Sequence, residues 1–322
     1  MKVIFALLFS SSILASGLQN EVIYGIDNRL NLEEYSEIDF KWKSVSIAMM
    51  VRKNILEESF GGILTKVKVN TLEDEYSVCS NDPNSKNLSV GKCTGFLVGP
   101  DLLATAGHCI TSDFSCQEDY KWIFEFRDDL ILESGIKDEV YIDSKNIFGC
   151  KEIVHREYDY LTKLDYALIR LDRPAFDRPV LKIRTEGKIE DNAELVMIGH
   201  PLGGSMKVSS DAKILENKNP VFFKTNLDSF MGNSGSPIFN KKTGLVEGIL
   251  VRGEGDFQID EEGNCERFHI CPENGEGCDG EDATRITKIP QLKNPVTLPD
   301  QTPTSEEPEI FQWNCFFSTI DC

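Results

Sequence analysis

The apolar residues of this chain arrive in short runs, and glycine, proline or a polar cluster stops nearly every one of them. Lys66-Val67-Lys68-Val69 alternates as a half-buried strand does. Asp165 to Leu171 is apolar on both faces, the pattern of a strand covered on two sides. Thr94 to Pro100 ends in a turn, and Asp101 to Ala106 returns as its hairpin partner. Further strand-like runs lie at Ser44 to Val51, Trp122 to Phe126, Val140 to Ile142, Glu152 to His155, Leu195 to Gly199, Lys213 to Leu215, Val221 to Lys224, Ser236 to Asn240, Leu245 to Arg252 and Ala283 to Ile289. No long stretch keeps a helical period. With 24 glycines and 13 prolines in 322 residues, the pattern selects β structure. The length allows two compact domains, and Arg173 to Pro179, with two prolines, suits the link between them.

The ends carry a different signal. Lys2, the apolar stretch Val3 to Phe9 with Ile13-Leu14, and the small residues Ala15-Ser16-Gly17 read as a secretory signal over residues 1–17. The apolar stretch is too short and too interrupted by serine to span a bilayer. No cysteine follows it, so a lipid anchor is not expected. Export places the ten cysteines in an oxidising compartment, where an even count favours disulfides. Cys93 and Cys109 flank the Thr94–Ala106 hairpin and are well placed to be bonded. Residues 18–43 are polar and read as a pro-segment or an N-terminal arm. Pro290 to Pro308 holds five prolines, an extended tail, and the aromatic end from Phe311 to Cys322 is expected to dock. A net charge of -19 excludes nucleic acid as a partner, since that needs a basic surface.

The chemistry centres on Gly232-Asn233-Ser234-Gly235-Ser236-Pro237-Ile238. Glycines on both sides of a serine suit a tight turn that backbone can approach closely. A serine hydroxyl attacks only when a base takes its proton. A histidine follows the hairpin in Thr105-Ala106-Gly107-His108-Cys109, and an acid opens the buried strand in Asp165-Tyr166-Ala167-Leu168.

These three contexts, in the order histidine, aspartate, serine, resemble the chymotrypsin–trypsin superfamily of serine peptidases. Asn-Ser-Gly-Ser-Pro is similar to the bacterial glutamyl endopeptidase branch, and Val22-Ile23 followed by Asp27-Asn28-Arg29 resembles the mature start of that branch. The resemblance runs from Val22 to Ile289. It implies an all-β fold of two antiparallel six-stranded β-barrels, residues 44–174 and 175–289, with the active site in the cleft between them. It implies Ser234 as nucleophile, His108 as base and Asp165 as the group that orients the imidazole. The N–H groups of Gly232 and Ser234 would receive the oxyanion. No cofactor and no metal are implied, and the substrates are proteins or peptides.

The same resemblance puts Asp228 and Ser229 at the base of the primary specificity pocket. An acid there suits Lys or Arg before the scissile bond. The histidine that glutamyl enzymes carry after the nucleophile is replaced in Gly248-Ile249-Leu250. Arg252 is close enough in sequence to reach the pocket and either favour an acidic residue or neutralise Asp228; both readings stay open. Asn233 is neutral, which excludes activation through an acid just before the serine. The competing function is a catalytically silent binding or adhesion protein on this scaffold, and the third is an esterase.

His155 and His200 lie in unrelated contexts and read as structural. His269 sits among Cys265, Cys271 and Cys278, but without paired Cys-x-x-Cys spacing the cysteines read as disulfides rather than zinc ligands. Asp256, Asp260, Glu261 and Glu262 do not fit a calcium loop. The acidic stretch Gly253 to Glu281 is expected as a loop overhanging the cleft.

Overall fold

The structure is a computed structural model and describes residues 22–293. The expected signal over residues 1–17 and the docked end from Phe311 to Cys322 lie outside the described residues.

Six strands close the first barrel: β1 (Ile47–Arg52), β2 (Gly91–Leu97), β3 (Leu102–Thr105), β4 (Tyr120–Phe124), β5 (Ile147–Tyr158) and β6 (Asp165–Leu171). Around the ring they run β4-β5-β6-β3-β2-β1, every neighbour antiparallel. Six more close the second: β7 (Glu194–Gly199), β8 (Lys207–Glu216), β9 (Phe222–Thr225), β10 (Pro237–Asn240), β11 (Val246–Arg252) and β12 (Glu281–Arg285). Their order is β7-β10-β11-β12-β9-β8, and β8 returns to β7. The all-β double barrel expected from the resemblance is the observed fold.

Strand alternation explains how the barrels pack. Along β7, Leu195 and Met197 point into the second barrel's own core, with Phe223, Ile238 and Leu250. Val196 and Ile198 point the other way, into a larger core shared with Trp122, Phe124 and Leu168 of the first barrel. Both faces are buried, so the strand is apolar throughout. A side sheet of Leu56–Ser59, Leu64–Lys68, Glu139–Asp143 and Leu132–Glu133 covers the first barrel through Met49, Val67, Ile123 and Val140.

Three features depart from the strand pattern read in the sequence. Helix α1 (Ile38–Ser44) precedes β1, which therefore starts at Ile47 rather than Ser44. Seven residues are too few for a helix to stand alone; Phe40, buried edge-on against Tyr35 and Phe239, holds it. The final strand ends at Arg285 and turns into a 3-10 turn at Ile286–Lys288. The acidic stretch 253–281 is not a plain loop. Phe257–Asp260 pairs with Cys265–Phe268 as a hairpin, and Ile270–Cys271 pairs in parallel with Ile23–Tyr24. Acids on its open face hid this pattern, while Phe257 and Phe268 pack on Phe230. Cys79–Cys265 ties the hairpin to the first barrel's flank, and Cys93–Cys109, Cys116–Cys150 and Cys271–Cys278 complete the disulfides among the described residues.

Candidate active site

The register of β3 against β6 pairs Thr105 with Ala167 and brings the chain leaving β3 alongside Asp165. Gly107 sits in that crossing. A Cβ on it would collide with the Glu157 carbonyl, so only glycine lets His108 approach the strand. Its own carbonyl accepts from Arg156 Nε at 2.6 Å. His108 is then held twice by one buried carboxylate. Its backbone N–H donates to Asp165 Oδ1 at 3.1 Å, and its Nδ1 lies 2.9 Å from Oδ2. A carboxylate anion only accepts, so Nδ1 carries the proton and Nε2 keeps its lone pair. Asp165 is 1% exposed, which keeps water from competing for that bond. Tyr158 packs edge-on to the imidazole at 6.2 Å between centroids.

Ser234 stands on a turn that two glycines make possible. Gly232 has φ +99° and Gly235 φ +93°. A Cβ at Gly232 would meet His200 O at 2.5 Å and Gly203 N at 2.6 Å; one at Gly235 would collide with Thr94 O. Inside the turn, Asn233 N–H donates to Phe230 O at 2.9 Å and Ser236 N–H to Asn233 O at 2.7 Å. Gly235 N–H donates to Leu250 O at 2.7 Å, which ties the turn to β11. Among the described residues, the N–H groups of Gly232 and Ser234 donate no hydrogen bond.

Thr94, on β2 of the first barrel, fastens this turn across the barrel boundary. Its N–H donates to Ser234 O at 2.8 Å and its Oγ1 donates to Gly232 O at 2.8 Å. The same Oγ1 accepts from His200 N–H at 3.1 Å. Next to it, the Cys93–Cys109 disulfide links the two halves: Cys109 Sγ is 3.6 Å from His108 Nε2 and 3.7 Å from Ser234 O. The structure thus gathers His108, Asp165 and the Ser234 turn at one place. Among the described residues no hydrogen bond joins His108 Nε2 to Ser234 Oγ.

The expected pocket residues are placed differently from the reading of the sequence. Asp228 is buried, and its carboxylate accepts from Tyr24 N–H at 2.6 Å and Asn28 N–H at 3.3 Å. Burial pushes its pKa up to about 6. Ser229 N–H donates to Val22 O at 3.0 Å, and its hydroxyl donates to Glu281 Oε2 at 2.9 Å. Arg252 does not neutralise Asp228: its Nε donates to Asp282 Oδ2 at 2.8 Å, and its guanidinium lies over the Phe222 ring. Two participants were missed in the sequence. The Val22–Asn28 segment packs against Asp228 and Ser229, just before the Ser234 turn, and nothing local marks that contact. Glu281 opens β12 after an acidic run and looked like one more solvated acid.

The other histidines and acids have structural partners. His200 is fully buried, its Nδ1 donates to Gly204 O at 3.0 Å, and burial pushes its pKa down to about 4. His155 stacks on Tyr166, and His269 Nδ1 donates to Gly255 O at 3.0 Å. Cys265, Cys271 and Cys278 are all disulfide-bonded and offer no thiolate to a metal. Asp260 caps its own turn and pairs with Arg267.

The family model described as a trypsin-like peptidase domain matches residues 93–249, a span that contains His108, Asp165 and Ser234. No curated protein matches the sequence significantly. Among solved structures, a Glu endopeptidase in complex with MPD is 17% identical, covers 76% of this chain and 91% of its own, and has a TM-score of 0.42. The Vibrio cholerae VesB protease is 14% identical, covers 83% of this chain and 64% of its own, with a TM-score of 0.47. A protease from M. tuberculosis in its active form is 13% identical over 78% of this chain and 80% of its own, with a TM-score of 0.40. Residues 93–249 are thus similar to the trypsin-like peptidase domain, and they lie within the two antiparallel barrels.

Proposed function

We propose that the protein is an exported serine endopeptidase that cleaves protein or peptide substrates through an acyl-enzyme. Ser234 Oγ attacks the scissile carbonyl while His108 Nε2 takes its proton. The imidazolium passes that proton to the leaving amine, and water then releases the acyl group by the same route in reverse. Asp165 holds the tautomer that leaves Nε2 free and stabilises the imidazolium once it forms. The N–H groups of Gly232 and Ser234 receive the oxyanion; one such donor contributes about 2.7–4 kcal/mol to the transition state. Neither a metal nor a cofactor takes part. Oγ and Nε2 come into hydrogen-bond contact in the substrate complex, where such catalytic contacts tighten.

The observation that carries this reading is the pair of hydrogen bonds from His108 to Asp165, set beside a serine turn that is fastened to the same barrel by Thr94. Four disulfides support export to an oxidising compartment. Among the described residues no helix is long and apolar enough to cross a membrane. Residues 1–17 act as the signal, the segment 18–43 as an N-terminal arm, 44–174 and 175–289 as the two barrel units, and 290–322 as a proline-rich tail.

A fluorophosphonate probe tests the mechanism, because it labels only an activated serine. Labelling of the secreted protein at Ser234, lost in Ser234→Ala and strongly slowed in Asp165→Asn, is the expected result. Absence of labelling in folded wild-type protein would leave a silent binding scaffold as the better reading.

A further inference from the structure

Four cations gather on the second barrel where the described chain stops. Lys188, Arg285, Lys288 and Lys293 line a cavity of about 550 Å³ there, and one acid, Glu186, shares the wall. Three segments build it: the bend at Gly187, the connection through Pro220 between β8 and β9, and the 3-10 turn Ile286–Lys288 that follows β12. A local surplus of positive charge runs against the chain as a whole, whose net charge is -19.

None of the four meets a carboxylate among the described residues. Arg285 is 2% exposed, and oxygens that carry only partial charge surround its guanidinium. Its Nε donates to Asn219 O at 3.2 Å, and its Nη2 donates to Asn217 O at 3.1 Å and Asn217 Oδ1 at 2.5 Å. The acids that act on it through space, Glu247 and Asp191, are bonded to Arg184 and Asn217. Lys188 Nζ donates to Asn217 O at 3.3 Å and Lys218 O at 3.1 Å. Lys288 and Lys293 are exposed, and among the described residues their ammonium groups make no hydrogen bond. Like charges held this close make a site of positive potential that draws an anion.

The chain itself supplies one. Leu292 is buried in the core shared by the barrels, which fixes the turn Pro290–Leu292 beside the cavity. Lys293 is both the last described residue and part of the cavity wall. Residues 294–322 hold five acids, Asp300, Glu306, Glu307, Glu309 and Asp321, and no Lys, Arg or His. Three of the five fall together in Glu306-Glu307-Pro308-Glu309. Twelve residues, three of them proline, separate Lys293 from Glu306. At ~3 Å per residue such a segment reaches ~40 Å, enough to leave the cavity and return to it. A tether of that length keeps the local concentration on the order of mM, so modest ion pairs suffice to hold the acids in place.

We propose that this cavity is the docking site of the chain's own acidic segment, residues 306–309, whose carboxylates pair with Lys188, Lys288 and Lys293 and answer the buried charge of Arg285. The tail is thereby fastened to the second barrel beside the Ile286–Lys288 turn. This assignment does not depend on the peptidase reading.

The test uses the full chain carrying Ser234→Ala, so that the protein cannot cut its own tail. A zero-length carbodiimide cross-linker is applied to dilute protein, and the joined peptides are identified by mass spectrometry. The expected result is amide bonds from Lys188, Lys288 or Lys293 to Glu306, Glu307 or Glu309 within one chain. Cross-links found only in dimers would hand the site to a second copy and overturn docking within the chain. Cross-links from residues 306–309 spread over distant lysines such as Lys137 and Lys151, or none from that segment, overturn the site itself. Charge reversal gives an independent reading. In Lys288→Glu/Lys293→Glu, added thermolysin should cut the tail near Phe311 at least ~10-fold faster, because like charges now face each other. Adding Glu306→Lys/Glu307→Lys to that variant should restore slow cleavage. Equal cleavage rates in the first comparison, or no restoration in the second, refute the proposal.

Discussion

Replacing Thr94 by valine isolates what fastens the Ser234 turn. The two side chains have nearly the same shape, so packing is kept and only the hydroxyl is lost. Thr94 is fully buried, and its Oγ1 makes two bonds, to Gly232 O at 2.8 Å and from His200 N–H at 3.1 Å. Valine leaves a buried carbonyl and a buried N–H without partners. Each orphaned group costs about 1–3 kcal/mol, so a total near ~3 kcal/mol is reasonable once the chain relaxes. For a domain of this size 1 kcal/mol moves Tm by roughly 2–4 °C, which makes the expected fall roughly 6–12 °C. The activity should fall too, because in the proposed mechanism Gly232 N–H is one of the two oxyanion donors and the adjoining Gly232–Asn233 peptide loses an anchor. Full loss of such a donor costs ~100-fold or more in kcat; a loosened one should cost ~10-fold, with KM changed far less. Thermal unfolding followed by circular dichroism, and peptide hydrolysis measured well below Tm on titrated active sites, give the two numbers. A Thr94→Val enzyme with wild-type Tm and wild-type kcat would refute the reasoning.

The Cys79–Cys265 bridge spans 186 residues of sequence, and closing a loop of that length restricts the unfolded chain by up to ~5 kcal/mol. Urea unfolding of the Cys79→Ala/Cys265→Ala double variant should show a loss of that order, and unchanged stability would count against the bridge. Asp256 gives a pH signature: burial pushes its pKa up to about 8, against ~4 in an unfolded chain. Between those values the native protein holds a proton that the unfolded chain has released. Stability attributable to this group therefore falls as pH rises from about 4 to 8, at up to ~1.4 kcal/mol per pH unit. Asp256→Asn, which keeps an acceptor for Met231 N–H, should be more stable than wild type at pH 8 and should flatten that limb of the stability curve. Identical pH profiles of the two proteins would show that Asp256 is not titrating there.

Most of the barrel strands were legible because strand and turn patterns are written over four to eight neighbouring residues. Asp165 to Leu171 reads as a covered strand from its own composition, and it is β6. Helix α1 was not legible, since a seven-residue helix held by Phe40 has too little period to detect and depends on Tyr35 and Phe239 for its stability. The acidic hairpin was hidden for the converse reason. Its charges face solvent, and the aromatic contacts that order it come from Phe230, a residue outside it.

The site divides along the same line. By itself, the sequence determined the β character, the His108, Asp165 and Ser234 contexts and the glycines around the serine, because each is written in neighbouring residues; the double barrel was implied by the resemblance those contexts carry. Only the tertiary structure decided how the buried acids are partnered. Asp228 is bonded to Tyr24, 204 residues away, Arg252 to Asp282, and Glu281 to Ser229. Those assignments depend on which buried groups find partners when distant segments pack, and a hydrogen bond between residues two hundred positions apart leaves no periodic trace along the chain.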